Sequence, residues 1–312
     1  MRAFIFPGQG SQAVGMGKAI AEAFAPAREA FEEVDDALGR NLSRLMWEGP
    51  DSELTLTENT QPAVMAVSMA IIRVLQREAG LDLARHARLV AGHSLGEYSA
   101  LCAAGAFTLP DTARLVRLRG VAMQAASPVG VGAMSALIGI DIDVAEAAVK
   151  EASDTGVVVV ANDNAPGQIV ISGETAAVDK AGEIAKTKGA RRVIPLAVST
   201  ANHSPLLRPA GERMREALAE IVIRPPAVPV VANVTAAEVS EPDTIRRLLA
   251  EQVTSRVRWR ESVAAFRGLG CTSTVEVGGN KVLTGMVKRI DKELQTISLD
   301  SPADIEAFAK TL

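Results

Sequence analysis

Apolar residues fall along this chain in two rhythms. Short unbroken runs at Ala3-Phe4-Ile5-Phe6, Arg88-Leu89-Val90-Ala91 and Thr274-Val275-Glu276-Val277 read as strands buried on both faces, and each runs into a glycine turn. Between them the apolar positions recur at helical spacing. Helices are predicted over Lys18 to Leu38 and Asn41 to Trp47, with a break at Gly49-Pro50-Asp51, where Asp51 or Ser52 is placed to cap the next turn. A longer, mostly buried helix is predicted from Asn59-Thr60-Gln61-Pro62 to about Glu78, with Pro62 in its first turn. Gly80 ends it. Further helical patterns cover Asp111 to Ala126, Arg208 to Ile221, Asp243 to Gln252 and Arg258 to Leu269, and Val230 to Asn233 reads as one more short strand. Alternating strand and helix signals of this kind predict a parallel α/β sheet.

The grammar changes in the middle. After a small-residue hinge, Ser127 to Gly132, come a strand (Ala133 to Ile140), a helix (Val144 to Ser153) and a strand (Val157 to Ala161). A turn follows at Asn162 to Gly167, then a strand (Gln168 to Ser172), a helix (Thr175 to Lys188) and a strand (Arg191 to Val198). That order, βαββαβ, is the ferredoxin-like one. The expected fold is a large α/β-hydrolase-like domain with a central parallel sheet, formed by residues 1–126 and 199–312. A small ferredoxin-like domain, residues 127–198, is inserted in it.

Composition narrows the chemistry. The chain has 312 residues, is 48% hydrophobic and only 3% aromatic, so its core is built from Ala, Val, Leu and Ile. A net charge of −4 gives no basic footprint for nucleic acid. Two cysteines and three histidines show neither a disulfide framework nor zinc-ligand spacing, and they fit a reducing compartment. The apolar run at the start stops at Pro7, too short for a signal peptide, and no stretch reaches membrane-spanning length. The expected setting is cytoplasmic.

The stretch around which the chain is organised is Gly92-His93-Ser94-Leu95-Gly96. It lies between a strand and the helix-forming run Glu97 to Ala104, so it has the sequence and context of a nucleophile elbow. The glycines allow a turn too tight for a Cβ, which lifts the Ser94 hydroxyl clear of the sheet. The Leu95 N–H then points toward any anion that forms beside Ser94. A serine needs a base. His86 sits in a charged run, and His93, next to the nucleophile, should point away from it. His203, in the loop Ser199 to Pro205, is the remaining candidate. The loop Pro7-Gly8-Gln9-Gly10-Ser11-Gln12 lacks either phosphate-binding pattern. It reads as a strand-to-helix turn or as a donor of a backbone N–H to an active site. Pattern alone does not single out Gln61 or Arg119.

Taken together, these stretches make the chain resemble the malonyl-CoA:acyl carrier protein transacylases. The matching segments run nearly end to end: Phe6 to Gln12, Asn59 to Ala63, Gly92 to Ala100, Arg117 to Gly120, Glu276 to Gly278 and Lys281 to Gly285. The resemblance implies Ser94 as the acyl-accepting nucleophile and His203 as its general base. It implies the backbone N–H groups of Gln9 and Leu95 as the oxyanion hole, and Arg119 as the partner of the free malonyl carboxylate. Gln252 would orient the histidine through its carbonyl, Gln61 would support the arginine, and His93 and Asn202 would line the pocket. The triplet Ala201-Asn202-His203 departs from the family's Pro-Phe-His, and Asn202 bears on malonyl against methylmalonyl preference. Gly279-Asn280 departs from Pro-Gly or Ala-Gly, at a place expected to be remote from the chemistry.

The implied substrate is malonyl-CoA and the implied partner is holo acyl carrier protein; Lys281, Lys288 and Arg289 read either as a basic patch that receives an acidic carrier or as no more than a solvated helix face. The implied enzyme is a monomer that needs no cofactor and binds neither nucleic acid nor membrane. Two other readings share the elbow: a serine hydrolase or thioesterase, and a trans-acting acyltransferase of a polyketide synthase.

Overall fold

Strand β1 (Arg2–Phe6) and strand β2 (Ala87–Gly92) pair in parallel at the centre of the larger sheet, and their side chains sort by parity. Phe4, Phe6 and Val90 face a cluster that includes the helix Thr57–Ala79, whereas Ala3, Ile5, Leu89 and Ala91 face Trp259, Val263 and Phe266. Both faces are covered, which is why these runs are apolar throughout. The computed structural model describes residues 1–127, 130–198 and 200–312. Pro128 and Val129 of the expected hinge, and Ser199 at the head of the histidine loop, lie outside the described residues.

The remaining strands are β3 (Gly132–Ile138), β4 (Val158–Ala165), β5 (Gln168–Glu174), β6 (Arg192–Pro195), β7 (Val230–Val231), β8 (Glu238–Val239), β9 (Ser273–Val277) and β10 (Gln295–Leu299). The larger sheet has the order β10-β9-β1-β2-β7-β8 and is parallel apart from β8, which runs antiparallel to β7. The second sheet, β4-β5-β3-β6, is antiparallel throughout and carries the helices Ile142–Ala152 and Thr175–Thr187 over its own apolar cluster. The sheets are tied together. Val257 donates its N–H to Ala161 O at 2.8 Å, Asp163 donates its N–H to Val257 O at 3.0 Å, and Arg260 pairs with the buried Asp163 at 2.8 Å.

Several expected boundaries move. The helix over Lys18 to Leu38 is two helices, Lys18–Ala23 and Ala25–Leu38, with Phe24 extended between them. Pro26 supplies the reason: it lacks an N–H, and its ring would clash with the carbonyl one turn back in a continuous helix. The long helix starts at Thr57, so Pro62 lies inside it rather than in its first turn. Pro50, not Asp51 or Ser52, occupies the N-cap of the helix Asp51–Leu54, and no side chain caps it.

The expected turn at Asn162 to Gly167 shrinks to Pro166-Gly167. The strand before it continues through Asn162, Asp163, Asn164 and Ala165 because two irregularities in register let these polar residues reach the larger sheet and the site. The expected helix from Arg258 to Leu269 is ordered as a helix over Trp259–Ala265. The edge strand β10 and the helix Pro302–Ala309 complete the larger unit.

Candidate active site

The elbow forms as its glycines require. Ser94 has φ 53°, a left-handed conformation that a serine adopts at a cost. A Cβ on Gly92 would lie 1.9 Å from Gly96 C, and one on Gly96 would lie 2.2 Å from Phe6 O. The strain is held by neighbours: the Asn233 side chain accepts the Ser94 N–H at 2.8 Å and donates to Gly92 O at 2.6 Å. His203 also has positive φ, 57°, so Ser94 and His203 both sit on strained backbone.

Ser94 Oγ–H donates to His203 Nε2 at 2.9 Å. His203 Nδ1–H in turn donates to two main-chain carbonyls, Gln252 O at 2.9 Å and Ser255 O at 3.1 Å. Both are acceptors only, so they fix the tautomer that leaves Nε2 free to take a proton. Among the described residues no carboxylate stands behind this histidine, unlike a hydrolase triad. Burial, followed by the charge of Arg119, depresses the His203 pKa to about 3, so the imidazole is neutral in the resting site.

Arg119 is 1% exposed. Its Nη1 donates to Gln61 Oε1 at 2.9 Å, and its Nη2 donates to Gln252 Oε1 at 3.0 Å and to Ser94 Oγ at 2.9 Å. Close approach places it there: a Cβ on the following Gly120 would lie 2.6 Å from Glu58 Cα. Burial lowers its pKa, but a guanidinium remains charged well above neutrality.

The backbone N–H groups of Gln9 and Leu95 have no hydrogen-bond partner among the described residues, and both residues line the same cavity of about 340 Å³ as Ser94, Arg119 and His203. Leu95 is at the N-cap of the helix Gly96–Ala103, whose dipole reinforces its N–H. His93 lies at the cavity wall, its Nε2–H donating to Asn164 Oδ1 at 2.8 Å rather than to Ser94. Asn202 lines the cavity too, with its Oδ1 accepting from Thr200 Oγ1 at 2.6 Å.

Thus the structure brings together all nine residues that the sequence put forward. It adds Glu97, Asn164, Asn233 and Ser255, which sequence reasoning missed. Glu97 had a signal: it is an acid at the head of the fully buried helix Gly96–Ala103. Asn164 and Ser255 had none. Two other expectations change. Gly279 and Asn280 are not remote, since a Cβ on Gly279 would meet Pro7 Cβ at 2.4 Å and Asn280 Nδ2 donates to Ser11 O at 3.2 Å, bracing the loop that carries Gln9. In the basic patch, Arg289 is engaged by Gln168 Oε1 and Pro166 O, both at 2.7 Å.

Residues 3–300 match the family model described as acyl transferase domain. The malonyl CoA-acyl carrier protein transacylase of Bacillus subtilis (strain 168) is 44% identical over 99% of this chain and 96% of its own length. That of Escherichia coli (strain K12) is 43% identical over 98% and 97%. Among solved structures, the acyl-carrier-protein S-malonyltransferase of Bartonella henselae superposes with TM-score 0.97 at 51% identity, covering 100% of this chain and 99% of that one. A malonyl-transacylase in complex with a holo type II polyketide synthase carrier protein gives TM-score 0.96 at 41% identity, covering 99% of both chains. The chain belongs to the acyl transferase family, within the group whose curated members are malonyl CoA-acyl carrier protein transacylases.

Proposed function

We propose that this enzyme transfers the malonyl group from malonyl-CoA to the phosphopantetheine thiol of holo acyl carrier protein, through a malonyl-Ser94 intermediate, for fatty-acid synthesis. The observation that carries the reading is the buried Arg119, which donates to the nucleophile itself. A neutral ester or acetyl thioester has no use for a buried guanidinium. A malonyl group does, because its free carboxylate would cost several kcal/mol to bury unpaired.

The residues take these roles in order. In the resting site Ser94 Oγ accepts from Arg119 and donates to His203. The incoming carboxylate displaces Ser94 at Arg119, which frees the Oγ lone pair for attack on the thioester carbonyl. His203 takes the hydroxyl proton. The Gln9 and Leu95 N–H groups receive the oxyanion, a contribution of about 3 kcal/mol for each such donor. His203 returns the proton to the departing CoA thiolate. The carrier thiol then gives its proton to His203 and attacks the acyl-serine; the C–O bond breaks, His203 returns the proton to Ser94 Oγ, and the cycle closes. No step requires a cofactor or a metal.

The fold reading is extended in the same way. The order β4-β5-β3-β6 and the alternation of its strands with two helices support a ferredoxin-like unit, with boundaries near residues 127 and 198, inserted in an α/β-hydrolase-like one. No described helix is long and apolar enough to cross a membrane. A monomeric cytoplasmic enzyme with no affinity for nucleic acid is the setting we infer. A role beside a polyketide synthase is the second reading, favoured by the likeness to the transacylase solved with a polyketide carrier protein.

Intact-protein mass spectrometry tests the reading. Brief mixing with malonyl-CoA should add one malonyl group, absent in Ser94→Ala, and holo carrier protein should remove it onto its own thiol. Parallel runs with methylmalonyl-CoA and acetyl-CoA measure what Asn202 allows. An adduct that decays equally fast without carrier would make water the acceptor and the enzyme a hydrolase.

A further inference from the structure

One buried acid that sequence reasoning passed over is Glu97, which is 2% exposed. Its Oε2 accepts the Asn233 N–H at 3.0 Å and Gln252 Nε2–H at 2.8 Å. The Gln252 side chain also donates to Ser94 O at 3.0 Å, and its Oε1 accepts from Arg119 Nη2. Glu97 and Arg119 therefore meet through one amide rather than directly. The amide has only one orientation that satisfies both: NH2 toward the carboxylate and oxygen toward the guanidinium.

We propose that Glu97 is a positioning residue for Arg119, fixing the Gln252 amide and supplying the buried negative charge that balances the guanidinium until the malonyl carboxylate arrives. The inference rests on the reading of Arg119 given above. Two carboxylates then share one buried guanidinium, and the weaker acid takes up a proton. That acid is Glu97. Burial pushes its pKa up to about 7, against the pull of hydrogen bonds from Asn233 and Gln252 and of the Arg119 charge. When the substrate carboxylate neutralises Arg119, that last pull disappears and the value rises further. Among the described residues Arg119, from the helix Leu109–Ala126, is the charged side chain that acts on Glu97, and Tyr98 is its titratable neighbour on the same helix. Gln252 and Asn233 contribute neutral amides. Malonyl binding near pH 8 is thus coupled to proton uptake, which fades below about pH 7, where Glu97 is already protonated.

The function of this arrangement is to keep the malonyl carboxylate exchangeable. A permanently unbalanced Arg119 would hold it more tightly and slow its departure on the carrier. Glu97→Gln retains an acceptor for both hydrogen bonds but has no charge. It should lower the malonyl-CoA KM several-fold and change the acetyl-CoA KM far less, whereas Glu97→Ala, which also frees the Gln252 amide, should lower kcat. A merely structural glutamate would instead lower kcat for both acyl groups with no change in KM.

The direct test is calorimetric titration of the Ser94→Ala enzyme with malonyl-CoA at about pH 8 in buffers of low and high ionisation enthalpy, with acetyl-CoA as the control. Uptake approaching one proton with malonyl-CoA, none with acetyl-CoA, and none in Ser94→Ala/Glu97→Gln is expected. Loss of malonyl-CoA binding in Ser94→Ala/Arg119→Ala secures the reading beneath. With that secured, proton uptake that is absent, or that survives Glu97→Gln, overturns the role of Glu97 alone. If Ser94→Ala/Arg119→Ala binds malonyl-CoA as well as Ser94→Ala does, both fall together.

Discussion

At the scale of single residues the site divides selection from proton transfer. In the proposed reaction Arg119 reads the acyl group and His203 moves the proton; Ser94 is hydrogen-bonded to both. Arg119→Ala should cut malonyl loading by roughly 100-fold or more, as expected for a buried charge left without its partner. It should affect acetyl loading far less, because acetyl has no carboxylate and the variant also removes the donor that occupies Ser94 Oγ. Quench-flow loading with both thioesters measures this, and equal losses would remove Arg119 from its role.

His203 makes a separate prediction about pH. Its ordinary value of 6.5 is depressed to about 3 by burial and by Arg119, so the base form persists as pH falls through 6.5 and would be lost only near the lower value. In Glu97→Gln, where no acid beside Arg119 titrates, the rate of malonyl-Ser94 formation at low substrate should therefore be flat from pH 7 to about pH 5. An inflection at 6.5 would mean that the imidazole titrates as if exposed. Ser94 and His203 were legible in the sequence because a nucleophile elbow is local and the chain has only three histidines. Arg119 was reached only through the family resemblance, because its one local distinction from Arg114 and Arg117, the Gly120 that follows it, does not by itself mark a site residue.

At the scale of elements, glycines set how closely the parts of the site approach. The helix Leu109–Ala126 crosses the start of the helix Thr57–Ala79 at Gly120, where a Cβ would lie 2.6 Å from Glu58 Cα and 2.7 Å from Thr57 O. Both are backbone atoms, so no rotamer change relieves the clash. Gly120→Ala should move the two helices apart by a few tenths of an ångström and cost about 1–3 kcal/mol. The same shift separates Arg119 from Gln61. Malonyl-CoA KM should rise more than acetyl-CoA KM, which a loss of stability alone would not produce. Unchanged selectivity in a folded variant would mean that Gln61 does not hold the guanidinium.

Strand and helix order was readable because each element has its own apolar period. Boundaries moved where a proline or a register irregularity intervened. Pro26 splits one helix, and the irregular β4 draws Asn164 out of the expected turn and onto His93.

At the scale of the whole molecule, the antiparallel sheet participates in the site. β4 sends Asn164 to His93, and Ala161 and Asp163 clasp the backbone of Val257, two residues after the carbonyl of Ser255 that receives His203 Nδ1–H. The clasp is fastened by one charge pair. Asp163 is 1% exposed in its side chain and Arg260 33%, so the acid depends on the arginine more than the arginine depends on it. Arg260→Ala would leave a carboxylate buried without a cation. The cost is on the order of 3 kcal/mol, at the lower end of the range for a severed buried pair because water reaches the Arg260 side. Replacing both, as Asp163→Asn with Arg260→Ala, removes the stranded charge and should restore a good part of that loss. Denaturant midpoints measure the stability terms. Loading rates measure the second consequence: in Arg260→Ala the Val257 clasp loosens, the Ser255 carbonyl drifts from His203, and kcat should fall for malonyl and acetyl alike. A fall in stability with kcat untouched would mean that the seam joins the sheets without positioning the base. A matching recovery of kcat in the double variant would show that the second sheet holds the histidine in place through that clasp.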